Sequence, residues 1–197
     1  MYREIINHYK VYKRFKSNIN NARELYESLI PYFNTDFQFW LQYGSLELEG
    51  KGGSLELAQN YLLQAESLRP KSVYVKNALA SLYYKKSILS SDVSESFNYR
   101  EQGNAIMHVL LNDKSFDDAY TYHIYCKGNY NYAIEKITEV DEMKKEFLKL
   151  KKVIQQGVES HPTNKRLKQI SDVINKAYLL TAVSGDYDFP PIITDLE

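Results

Sequence analysis

Apolar side chains recur at intervals of three and four along almost the whole 197-residue chain, the spacing that lines one face of an α-helix. Ile5, Ile6, Tyr9, Val11, Tyr12 and Phe15 place a first helix near residues 2 to 16. A second carries Ala22, Leu25, Tyr26, Leu29 and Ile30, with Pro31 and Asn34 to Asp36 marking its end and the next start. A third runs from about Phe37 to Leu48. It is broken by Gly50, Gly52 and Gly53, after which the Ser54 hydroxyl caps a fourth that stops before Pro70. Further helices are expected over about 72–88, 95–111, 116–126, 130–138, 141–159 and from Asn164 to near Ser184, with a turn at Lys127-Gly128-Asn129. The 8 Gly and 5 Pro are too few for a turn-rich β fold, so the class is all-α, with about ten helices.

The helices follow a repeat frame. Ala58, Leu62, Ala65 and Pro70 have the spacing of small, large, small and proline that lets one helix cross another closely and fill the groove beside it. The preceding helix offers Trp40, Tyr43 and Gly44, with Gly44 as its small crossing residue. Counting onward gives Ala80 and Tyr83; counting back gives Ala22, Tyr26 and Leu29. Gly128, Tyr130, Ala133 and Ile137, then Leu150, Ile154, Gly157 and Pro162, repeat parts of the pattern. This register resembles the tetratricopeptide (TPR) repeat. The resemblance implies antiparallel helix pairs stacked as a right-handed superhelix over residues 1–184, regular over about 20–87 and degenerate over 93–184. The turn through Gly50-Lys51-Gly52-Gly53 is longer than a TPR turn, and Lys76 stands where the pattern has Trp. Residues 185–197, with Pro190-Pro191 and the acidic Asp186, Asp188, Asp195 and Glu197, read as an extended acidic tail.

A second string is more particular. Phe39-Trp40-Leu41-Gln42-Tyr43-Gly44, followed by the helix from Ala58 to Leu68, resembles the C-terminal repeats of bacterial STAND-type NTPases and sirtuin-domain proteins, many of them antiphage defence proteins. That resemblance covers about residues 20 to 85. It implies a sensor module that binds a trigger protein while a separate effector responds.

No catalytic or metal-binding motif stands out in the sequence. No Gly-rich loop ends in Lys-Ser/Thr, so no P-loop is expected. His8, His108, His123 and His161 are scattered; the His8–Glu4 and His123–Cys126 spacings are each short of a metal site, and no metal or cofactor is expected. Asp117-Asp118 and Asp141-Glu142 fall at helix starts, where negative charge complements the helix dipole. Lys144, Lys145, Lys149, Lys151 and Lys152, interleaved with Glu146, spread around a helix as a solvated face. With 25 basic and 25 acidic residues, no overall field favours nucleic acid. No apolar run reaches the length of a membrane span, the start lacks a signal-peptide layout, and the single Cys126 suits a reducing cytoplasm.

The expectation is therefore a non-catalytic module that binds another protein: a peptide, an effector subunit or a phage-derived trigger. First helices line the concave face of a TPR superhelix, which gives Gln38, Leu41, Gln42 and Ser45 from one unit and Tyr74, Asn77, Ser81, Tyr84 and Lys85 from the next. The alternative for these residues is packing inside a closed bundle without a groove. Rival functions are a homo-oligomerising scaffold whose tail docks on a neighbour, an RNA-binding repeat using the basic end with Lys165, Arg166 and Lys168, or an enzyme using His123 and Asp117.

Overall fold

The computed structural model describes residues 19–113, 117–182, 188–191 and 193. Eight helices and no strand occur among them: α1 (Ile19–Phe33), α2 (Phe37–Glu49), α3 (Leu55–Leu68), α4 (Val73–Leu89), α5 (Val93–Asn112), α6 (Ala119–Lys136), α7 (Val140–Ser160) and α8 (Lys165–Leu180). The helix expected over 2 to 16 and the His8–Glu4 pair lie outside the described residues. The two helices expected over 116–126 and 130–138 are one: α6 passes straight through Lys127-Gly128-Asn129. Likewise α1 continues through Pro31 to Phe33. No helix among the described residues is long and apolar enough to cross a membrane.

The chain forms two compact units, Met1–Leu82 and Tyr83–Glu197, each treated by itself. Residues 73–82 of α4 belong to the first and 83–89 to the second.

In the first unit, local chemistry fixes the helix ends. Asp36 accepts a hydrogen bond from the Gln38 N–H (2.9 Å) and Ser54 from the Leu57 N–H (3.3 Å), so both starts are capped by a short polar side chain. Gly44 has room for no more than hydrogen: a Cβ there would lie 2.6 Å from Leu62 Cγ and 3.2 Å from the Ala58 carbonyl. The missing side chain lets α2 and α3 approach closely, with Ala58, Leu62 and Ala65 fully buried between neighbours. Beside this crossing runs an aromatic ladder. Tyr26 stacks on Tyr43 (centroids 4.5 Å apart) and Tyr43 on Tyr61 (4.0 Å), while Trp40 sits against both Phe39 and Tyr61 and donates its indole N–H to the Asn34 carbonyl. Glu47 is buried under the glycine turn. Its carboxylate takes both forks of Arg23 (2.6 and 2.7 Å) and the Ser54 N–H (2.9 Å), tying α1, α2 and the start of α3 together.

The second unit packs α5 to α8 with the end of α4. Ser96 on α5 donates to the Ser87 carbonyl (2.6 Å), Asp92 caps α5 by accepting from the Glu95 N–H (2.7 Å), and Lys136 at the end of α6 donates to the Ser90 carbonyl (2.8 Å). Asp118 caps α6 and Asn164 caps α8 in the same manner. Phe147, Leu150 and Ile154 of α7 and Leu167, Ile170, Ile174 and Ala177 of α8 form the core against α6. Their spacing is the three-and-four pattern that made these helices legible from sequence.

A candidate segment-binding groove on α6 and α7

The central helix of the second unit, α6, carries Asn129-Tyr130-Asn131-Tyr132 near its C-terminal end. Successive helical residues turn by about 100°, so these four side chains divide between two faces. Both faces are buried, and they do different work.

One face closes a polar network. The Tyr84 hydroxyl donates to Asn104 Oδ1 (2.9 Å), and Asn129 Nδ2 donates to that same oxygen (2.8 Å), to the Tyr84 hydroxyl (3.2 Å) and to the Tyr125 carbonyl (3.1 Å). Asn129 Oδ1 in turn accepts from Arg100 Nε (2.8 Å). The same guanidinium pairs with Glu146 of α7 at 2.5 Å and lies 4.6 Å above the Tyr132 ring. Glu146 was expected on a solvated lysine face; it is instead buried, because its partner Arg100 comes from a different helix. The Tyr84 ring lies between two glycines, with a Cβ on Gly103 placed 3.0 Å from it and one on Gly128 only 2.3 Å away. Burial raises the Tyr84 phenol well above its ordinary pKa, and burial together with the Glu146 charge pushes Tyr125 up to about 12.

The other face holds Pro190 and Ile193, and Phe147 of α7 beside it meets Phe189. Asn131 donates from Nδ2 to the Ile193 carbonyl (2.9 Å) and accepts at Oδ1 from the Ile193 N–H (2.7 Å). One amide side chain thus pairs with both main-chain groups of one residue, as a neighbouring β-strand would. The Tyr130 hydroxyl donates to the Pro190 carbonyl (2.7 Å). Phe189 meets Phe147 of α7 edge to face, with centroids 5.8 Å apart, and Phe147 also packs on Tyr130. Ile193 is buried, although it belongs to no helix.

The residues expected on a concave face are distributed otherwise. Gln38, Tyr74 and Lys85 are exposed; Leu41, Gln42, Ser45 and Ser81 are half-buried. The Gln42 amide oxygen is buried and has no hydrogen-bond partner among the described residues. Asn77 and Tyr84 are buried and offer no surface to a partner, Tyr84 because Gly103 and Gly128 close over its ring. Asn131 and Phe147 were not singled out from sequence, and Tyr130 entered only as a position of the repeat pattern. Their signal was an unbroken helical spacing through Gly128, hidden by the apparent turn there.

Two hollows lie at the other end of α6. One, of about 260 Å³, is lined by Leu110, Asp113, Asp117, Asp118, Tyr122 and Ser160. The other, of about 440 Å³, is lined by Asp118, Tyr120, His123, Asn164, Lys165 and Arg166. Asp117 lies 3.0 Å from His161 Nε2, while the His123 ring stacks on Tyr120. Cys126 is fully buried, which raises its thiol pKa and keeps it neutral. No group of three His, Cys, Asp or Glu side chains suited to a metal ion occurs among the described residues.

Comparison with known protein families, with curated proteins and with solved structures gives no match.

Proposed function

We propose that this chain is a non-catalytic protein-binding module built from TPR-like helix pairs. The observation that carries the binding half is the hold on Phe189, Pro190 and Ile193, where Asn131 and Tyr130 grip main-chain groups and leave side-chain identity to an aromatic contact at Phe147. Main-chain hydrogen bonds for affinity and a side-chain contact for specificity are how an extended segment is recognised at a protein surface. The repeat half is supported by the close approach of α2 and α3 at Gly44 and Ala58, two positions at which TPR pairs use small residues, with Leu62 as the large residue that fills the groove beside them. The resemblance of Phe39–Gly44 and Ala58–Leu68 to STAND-type and sirtuin-domain repeats supports reading this module as a sensor or assembly part of a bacterial defence system. In that setting it would work in the cytoplasm and meet an effector subunit or a phage-derived trigger.

The test is selection of a displayed library of extended peptides on the full chain, followed by calorimetric titration of the enriched sequences. A recurring peptide pattern with saturable binding is the expected result. Enrichment no better than on a helical protein of unrelated sequence would sink the reading.

A further inference from the structure

We propose that residues 189–191 and 193 occupy in cis a groove that also accepts, from another protein, an extended segment of the same chemistry: an aromatic residue, two prolines, and an aliphatic residue with its main-chain N–H and C=O free. This deepens the protein-binding reading above and rests on it.

The first argument is Asn131 itself. It is 6 % exposed inside a helix, and its amide finds both its partners on Ile193. Burying an amide is costly unless both ends are hydrogen-bonded. A strap whose only task was to cover apolar surface would be served better by an aliphatic residue at 131. An amide there makes sense where a main chain must be recognised.

The second argument is the fit of the segment to the donors and acceptors offered. Pro190 and Pro191 have no N–H, so this stretch brings no unsatisfied donor against α6. The Pro190 carbonyl meets the Tyr130 hydroxyl, and the next N–H with a described partner, that of Ile193, meets Asn131 Oδ1. Phe189 anchors the start against Phe147. Each contact reads a feature that a separate peptide would carry equally well. None of them depends on the covalent link to α8.

The link sets the competition. A segment joined to its site within one chain has an effective concentration of about millimolar. A free peptide of micromolar intrinsic affinity would then be weakened by about a hundredfold or more while the segment is in place. The groove would thus stay closed to weak segments and open to strong ones.

The experiment uses the full chain and a fluorescein-labelled peptide of the sequence of residues 188–193, Asp-Phe-Pro-Pro-Ile-Ile. A release variant, Phe189→Ala with Ile193→Pro, removes the anchor and the N–H that Asn131 accepts from, without touching a helix. Fluorescence anisotropy should show the release variant binding the peptide at least about tenfold more tightly than the unmodified chain. Adding Asn131→Asp, which keeps the acceptor but loses the donor to the Ile193 carbonyl, should undo that gain. No binding by a release variant that melts like the parent would overturn the proposal, as would equal affinity for both chains. Loss of helical signal in the release variant would also overturn it, since a replaceable occupant cannot be essential to the fold. Library peptides that bind but ignore Asn131→Asp would remove this groove while leaving the broader reading intact.

Discussion

Substituting Gly128→Ala tests the placement of α6 more sharply than any other single change. The added methyl would lie 2.3 Å from Tyr84 Cδ2, 2.4 Å from Cγ and 2.8 Å from Cε2, all well inside contact distance. The ring has little room to retreat. Gly103 closes its other side and its hydroxyl is held by Asn104 and Asn129. Overpacking of this kind costs about 1–3 kcal/mol or more. Against this, Ala gains about 1 kcal/mol over Gly inside a helix. With a clash to three ring atoms the upper end applies, so a net loss of about 2 kcal/mol is expected. In urea unfolding followed by far-ultraviolet circular dichroism, with a slope of about 2 kcal/mol per M, the midpoint should fall by about 1 M. A double-mutant cycle then isolates the cause: in a Tyr84→Ala background, Gly128→Ala should be neutral or stabilising. If Gly128→Ala alone left the midpoint unchanged or raised it, residue 128 would be a surface turn and the packing of α6 on Tyr84 would be refuted.

Other outcomes follow from single contacts. Glu47→Gln removes the charge that takes both Arg23 forks and should lower stability by about 2 kcal/mol in urea unfolding, the effect being blunted by the partial exposure of Arg23. Ser54→Ala should cost about 1 kcal/mol by leaving the Leu57 N–H without its cap, measured in the same way, and Ser54→Asp should restore most of it. Alkaline pH should destabilise the second unit. Tyr125 is raised from 10.0 to about 12, so between these values the unfolded chain gives up a proton that the folded chain keeps, and stability falls by about 1.4 kcal/mol per pH unit for this group. A series of urea midpoints across that range should show the fall, and Tyr125→Phe should reduce its slope. Arg100→Met leaves Glu146 buried without its main partner and should cost about 3 kcal/mol, whereas the Arg100→Met, Glu146→Leu pair should recover much of the loss.

How far the sequence revealed this structure depends on the reach of each signal. Helix starts such as Ser54 and Asp118 and the crossing set Gly44, Ala58, Leu62 and Ala65 were legible, because caps and helical periodicity are written within a few residues. Gly128 was misread because Lys-Gly-Asn is locally a turn. The need for glycine there comes from Tyr84, far away along the chain, whose ring takes the space that a side chain would fill. Glu146 looked solvated among lysines for the same reason, its partner Arg100 being supplied by another helix. The repeat frame assigned Asn77 and Tyr84 to an open face, but a frame orients side chains without stating what later covers them. Asn131 was invisible, since its value depends on where Ile193 comes to rest.

The four residues from Asn129 to Tyr132 make α6 a lever with two loads. Asn129 and Asn131 project about 200° apart on the helix cylinder, one into the network with Tyr84 and Arg100, the other onto Ile193. An amide carried about 5 Å from the helix axis sweeps roughly 1.7 Å when the helix turns by about 20°, enough to part a 2.7 Å hydrogen bond such as that to the Ile193 N–H. A turn of α6 by that angle would carry both side chains together, because Asn129 and Asn131 share one helix. The hold on Ile193 and the packing of Tyr84 between Gly103 and Gly128 thus hang on a single helix.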